Sequence, residues 1–220
     1  MIITIGKPYA VSDKGRRRNN EDSVFPLPEK EDPDRKLFIV CDGVGGAEKG
    51  EVASALACES LSVYFDIFLE GDPTADFIQK AIRYTEARFD DYVSAHPEAT
   101  GMATTLTLIY IGTNGITLAH IGDSRIYHFR KGQIQYQTED HSLVNSWVQL
   151  GRITEAEALV HPQRNVILRA IQGSIRPTEA DVYLLQDVEA GDVLFMCTDG
   201  ALEPFDNSSL SSVFKQSHSS

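Results

Sequence analysis

Ala103–Gln137, ATTLTLIYIGTNGITLAHIGDSRIYHFRKGQIQYQ, decides the fold. Ala103–Ile111 and Ile116–Ile121 are apolar, β-branched runs, and Gly112-Thr113-Asn114-Gly115 between them is turn chemistry, so the pair predicts a hairpin. Ser124–Arg130 and Gln133–Gln137 repeat the pattern around Lys131-Gly132, which predicts a meander of about four strands in the middle of the chain. On the N-terminal side, Lys36–Cys41 (KLFIVC) is a short apolar run of buried-strand type, and Met1–Ile5 and Tyr9–Ser12 are expected to be short strands. On the C-terminal side, Asp181–Leu185 and Val193–Cys197 are expected strands, joined through the turn-forming Glu189-Ala190-Gly191-Asp192.

Helices fall between these groups. Apolar positions from Glu48 to Leu69 are too dense for a solvent-facing helix, so a mostly buried one is expected there. A second should start at Pro73 and run to about Ala95, where His96-Pro97 stops it. Short helices are expected around Ser142–Leu150 and Thr154–Leu159, the latter opened by the capping-box sequence Thr154-Glu155-Ala156-Glu157. Strands in groups and helices in blocks argue for an α+β fold with antiparallel sheets: a sandwich of two sheets flanked by helices.

The chain's 220 residues fit one domain, 1–220. An excess of 32 acidic over 20 basic side chains gives a net charge of −12, which repels a phosphate backbone and argues against nucleic-acid partners. The same charge attracts cations into any cleft that gathers carboxylates. Three widely spaced cysteines, Cys41, Cys58 and Cys197, fit reduced core thiols and no disulfide framework. No basic leader and no span-length apolar run stands in the sequence, so a cytoplasmic location away from membranes is expected.

Asp42-Gly43-Val44-Gly45-Gly46 follows an expected buried strand, and Asp199-Gly200 follows another; Gly122-Asp123-Ser124-Arg125 interrupts two more. Each alone is ordinary loop chemistry. Three carboxylates at strand ends are also what a hard divalent cation requires, since such ions take oxygen ligands. Arg17-Arg18-Asn19-Asn20-Glu21-Asp22 places guanidinium groups beside two acids, the combination needed to hold phosphate next to ordered water.

In this order the segments resemble the type 2C protein phosphatases, in their compact bacterial form. The resemblance continues through Glu51-Val52-Ala53-Ser54, Gly101-Met102-Ala103-Thr104-Thr105, Asp140-His141-Ser142-Leu143, Gly151-Arg152-Ile153-Thr154 and His161-Pro162-Gln163-Arg164, and so covers nearly the whole chain. It implies an αββα sandwich, a site for two Mn²⁺ or Mg²⁺ ions with a weaker third, and hydrolysis of phosphoserine and phosphothreonine in proteins, opposing a kinase, by a monomer. On the matching positions it implies that Asp42 bridges two metals, that Gly43 offers its carbonyl oxygen, and that Asp199 holds the first metal. Asp123 with Asp199 would hold the third; Glu21 and Asp22 would order water; Arg17 would bind the substrate phosphate. Val144–Ile171 would form a flap beside the site.

Two positions depart from the family pattern. Val44 stands where some members carry a histidine proposed as general acid. The family also continues past Thr198-Asp199-Gly200 to a final strand with an Asp-Asn that completes the first metal site, whereas Ser217-His218-Ser219-Ser220 ends this sequence. The expectation is therefore a domain shortened at its C-terminus, with its last strand missing and its first metal short of one carboxylate. Asp206-Asn207 resembles the absent pair, but its setting fits a helix cap better. The alternative reading is a catalytically impaired relative that binds phosphoproteins or regulates a partner.

Overall fold

The computed structural model describes residues 3–15, 19–27, 35–44 and 49–216. In chain order the elements are β1 (Asp22–Phe25), β2 (Leu37–Val44), α1 (Lys49–Phe68), α2 (Ala75–Ala95), β3 (Ala103–Thr104), β4 (Leu106–Ile111), β5 (Ile116–Ile121), β6 (Arg125–Arg130), β7 (Gln133–Gln137), α3 (Leu143–Gln149), α4 (Glu155–Val160), β8 (Asp181–Leu185), β9 (Val193–Cys197), α5 (Asp199–Leu202) and α6 (Asn207–Gln216). One antiparallel sheet runs β1-β2-β4-β5-β8, with β3 paired to the end of β2; the other runs β7-β6-β9.

The two-residue alternation of each strand sorts its side chains into layers. Leu37, Ile39, Cys41, Leu106, Leu108, Ala119 and Ile121 face α1 and α2, packing against Leu61, Phe65, Ile82 and Phe89. The intervening Ile109, Ile111, Ile116 and Leu118 face the second sheet and meet Ile126. On that sheet's far side, Tyr127 and Phe129 pack on Leu210 of α6. The layers are α, β, β, α, as expected. α1 is apolar on more than one side because it lies between the first sheet and α2. Thr74 caps α2, its Oγ1 accepting the Phe77 N–H at 3.2 Å, so Pro73 precedes the cap instead of opening the helix. No helix among the described residues is long and apolar enough to cross a membrane.

Several sequence expectations need correction. Residues 3–14 form no strand, although Ile3 and Ile5 pack against the core between the sheets. Tyr9 and Val11 are 89% and 90% exposed, so neither burial nor a partner ladder supports their β propensity. The β4–β5 hairpin and the β6–β7 hairpin belong to different sheets, so the meander is broken in two. The break comes at Gly122, whose φ of +97° suits glycine. β2 does not stop before Asp42-Gly43 but carries both residues within it. β1 was not anticipated: Asp22–Phe25 pairs with Ile39–Asp42, a polar start that hides its strand character.

Candidate active site

Asp42 lies near the end of β2, 7% exposed, directly opposite Asp22 of β1 in the ladder. Two threonines lock its backbone. The Asp42 N–H donates to Thr105 Oγ1 at 3.0 Å, and the Asp42 carbonyl oxygen accepts from Thr104 Oγ1 and the Thr105 N–H, both at 2.9 Å. Thr105 Oγ1 also lies 2.7 Å from Ser124 Oγ, which joins Asp42 to the turn bearing Asp123. No local motif assigns these residues a role. Two consecutive threonines inside an otherwise apolar strand were the signal, because a buried hydroxyl needs a partner.

Thr105→Val removes the acceptor of the Asp42 N–H and the partner of Ser124 while keeping the shape. We expect a stability loss of about 1–3 kcal/mol, the cost of leaving buried polar groups unsatisfied. Thermal or urea unfolding of the variant checks it, and an unchanged midpoint would contradict it.

Gly43 crosses the start of α1 in direct backbone contact. Its N–H donates to the Glu21 carbonyl oxygen at 2.9 Å. A Cβ on Gly50 would stand 2.8 Å from the Gly43 carbonyl oxygen and 2.9 Å from the Glu21 carboxyl carbon. Those two oxygen-bearing groups therefore line a cradle that only glycine leaves open.

The second sheet brings the other half. Thr198, which follows β9, donates from Oγ1 to Asp22 Oδ2 at 3.1 Å, so Asp199 is delivered to the strand pair that carries Asp42. Asp123 sits in the β5–β6 turn. Its carboxyl is raised to about 6, first by burial and then by the neighbouring charge of Asp199, with Asp140 adding to it. Like charges held together at a buried site favour the protonated form of one of them. The Arg125 charge offsets this in part, while its Nε and Nη2 grip Asp140 at 2.6 and 2.7 Å.

The structure thus gathers Glu21, Asp22, Asp42 and Gly43 on the first sheet and places Asp123 beside Asp199, with Thr198 joining the halves. Arg17 lies outside the described residues, as do Gly45 and Gly46. The donors are carboxylates and a carbonyl oxygen, the hard oxygen set that fits Mg²⁺ or Mn²⁺. Asp206 takes no part: its Oδ1 accepts the Ser209 N–H at 2.7 Å as the cap of α6. Hydrogen bonds from Ser209 hold its carboxyl down at about 2.

Cys41, Cys58 and Cys197 are free and buried. Hydrogen bonding to Cys58, then burial, pushes the Cys41 thiol well up, and burial pushes Cys197 up to about 12. Thiols so protonated are not nucleophiles at neutral pH.

Comparison with known proteins gives the family and the fold. The family described as protein phosphatase 2C matches residues 14–220. The serine/threonine protein phosphatase PstP of Mycobacterium tuberculosis is 38% identical over 208 residues, covering 92% of this chain; the chain spans only 38% of that relative's length. The crystal structure of M. tuberculosis PstP/Ppp superposes with a TM-score of 0.80 at 36% identity, covering 92% of this chain and 82% of that one. A structure of the PstP catalytic domain in complex with two manganese ions gives 0.74 at 35% identity, covering 92% and 81%.

Proposed function

The chain belongs to the protein phosphatase 2C family, and from that premise we propose that it hydrolyses phosphoserine and phosphothreonine in proteins with the help of divalent cations. The observation that carries the reading is a continuous chain of neighbours that links carboxylates across the two sheets: Asp42 opposite Asp22, Asp22 bonded to Thr198, and Asp199 next in the chain, its charge acting on Asp123. Asp42, Asp199, Asp123 and the Gly43 carbonyl oxygen are the groups that would hold the ions. Mn²⁺ or Mg²⁺ bound there supplies an acidified water and positive charge for the phosphoryl oxygens.

This chain's own residues do the rest. Glu21 and Asp22, neighbours in the chain alongside Gly43 and Asp42 of β2, would accept hydrogen bonds from water and so set its direction of attack. Arg17 is assigned to the phosphate oxygens, which its planar fork matches. Val44 is apolar and 38% exposed, so it gives no proton to the leaving alkoxide, which takes one from solvent. No covalent phosphoenzyme is required, in keeping with the protonated thiols.

The reading extends to phosphoproteins as substrates, to a serine/threonine kinase as the opposing activity, and to a monomer working in the cytoplasm. The test is hydrolysis of a phosphothreonine peptide by the purified protein. Turnover should need added Mn²⁺ or Mg²⁺, stop with chelator and return with excess metal. Chelator-resistant turnover would defeat the proposal; tight phosphopeptide binding without turnover would favour the impaired relative.

A further inference from the structure

His120, His141 and Asp181 offer ligand atoms within 4.8 Å of one another, close enough for one transition-metal ion. Their hydrogen bonds argue otherwise. The Gly122 backbone N–H, which can only donate, lies 3.1 Å from His141 Nδ1, so Nδ1 carries the lone pair. The neutral ring then keeps its proton on Nε2, 3.2 Å from Asp181 Oδ2, and Arg169 Nη1, 3.3 Å from the same nitrogen, gives its hydrogen to the nearer Asp181 Oδ1 at 2.7 Å. An ion at Nε2 would have to displace that proton and leave an imidazolate. Asp181 Oδ1 already accepts from Arg169 at 2.7 Å. His120 turns Nε2 to the Glu139 carbonyl oxygen at 2.8 Å, and the two rings stack 4.4 Å apart, so their in-plane lone pairs do not converge.

We propose that His141 is the positioning residue of the turn that carries Asp123, and that it ties this turn to the flap. The clamp is reciprocal: Gly122 donates to the His141 ring, and the His141 N–H donates back to the Gly122 carbonyl oxygen at 2.9 Å. Gly122 cannot shift sideways, because a Cβ there would meet Thr105 Cγ2 at 2.7 Å and Thr105 is buried. Stacking on His120 fixes the ring plane. From the other side, the His141 carbonyl oxygen accepts the Leu168 N–H at 2.7 Å, and Arg169 stands beside the ring, its Nη1 3.3 Å from His141 Nε2 and 2.7 Å from Asp181 Oδ1. Leu168 and Arg169 belong to the 144–171 stretch, whose end is pinned at Ile171 to Thr104 beside Asp42. One side chain and its backbone thus hold the Asp123 turn and the flap together.

The inference rests on Asp123 being a cation ligand, and isosteres separate the two ideas. Asn places its carbonyl oxygen where Nδ1 stands and keeps the acceptor for Gly122; Gln places its amide near Nε2 and loses it. Mn²⁺ binding to chelator-stripped wild type, Asp123→Asn, His141→Asn and His141→Gln is measured by calorimetry and by paramagnetic resonance of free Mn²⁺, with melting curves as the folding control. Asp123→Asn should lose the weakest ion. His141→Gln should weaken that same step about 10- to 100-fold, the usual effect of removing a partner one shell out, with His141→Asn within about threefold of wild type. Equal weakening in both isosteres, or wild-type binding by His141→Gln, overturns the positioning role. Unchanged binding by Asp123→Asn overturns the ligand reading beneath it. In the wild type, ¹⁵N imidazole shifts must show Nδ1 bare and Nε2 protonated; the reverse tautomer overturns the proposal whatever the variants do.

Discussion

Asp42→Asn should lower kcat/KM about 10³-fold or more, on the order of 4 kcal/mol of transition-state stabilisation, while leaving the fold intact. The size follows from position. Asp42 is the buried carboxylate at the centre of the arrangement, with Asp22 across the ladder, Gly43 next in the strand and the Asp123 turn joined to it through Thr105 and Ser124. Asn keeps the shape and the backbone bonds to Thr104 and Thr105, but it removes the charge that two cations would share. Mn²⁺ titration by calorimetry should lose its tightest step, and the melting curve without metal should stay near that of the parent. An Asp42→Asn protein that keeps both metal binding and turnover would refute the assignment.

Gly43→Ala should cost about 3 kcal/mol or more, lowering the melting midpoint by roughly 6–12 °C for a chain of this size. An added Cβ would stand 1.9 Å from the Gly50 carbonyl oxygen and 2.2 Å from its carbon, and these backbone atoms cannot swing aside like a side chain. Relief requires the start of α1 to part from the end of β2, which also spoils the cradle between Gly43 and Glu21. Gly200 is the control. It follows Asp199 in a motif that reads identically, yet a Cβ there meets nothing within 4 Å, so Gly200→Ala should leave the midpoint unchanged or raise it. Calorimetric melting of both variants decides the matter, and equal effects at the two glycines would show that the contact is not what matters.

That pair shows what the sequence can and cannot convey. Asp42-Gly43 and Asp199-Gly200 are equivalent as strings, and each does mark a position at or beside a strand end. Only the crossing of α1 over β2 makes one glycine obligatory, and a contact between distant segments has no local signature. The layers were legible for the opposite reason: burial imposes periodicity within each strand, so Leu106–Ile111 and Ile116–Ile121 are recognisable on their own. β1 was hidden because Asp22 and Ser23 are polar, their partners being the distant Thr198 and Ser54. Tyr9–Ser12 misled because β-branched and aromatic residues favour strands only where a neighbour takes their hydrogen bonds. Glu21, Asp22, Asp42, Asp123 and Asp199 were found as acids in motifs, whereas Thr105, Ser124 and Thr198 went unassigned because their work is to hold other residues.

The bond from Thr198 to Asp22 closes a span of 176 residues. Ribosomes add residues from the N-terminus at about 5–20 per second, so the 157 positions from Asp42 to Asp199 take roughly 8–30 s to make. Throughout that interval a nascent chain holds Asp42 without its counterpart from the second sheet. On the function proposed above, dephosphorylation would therefore not be acquired gradually during synthesis. It would begin when β9 docks and Asp199 arrives, and until then the growing polypeptide would pass among phosphorylated proteins without editing them.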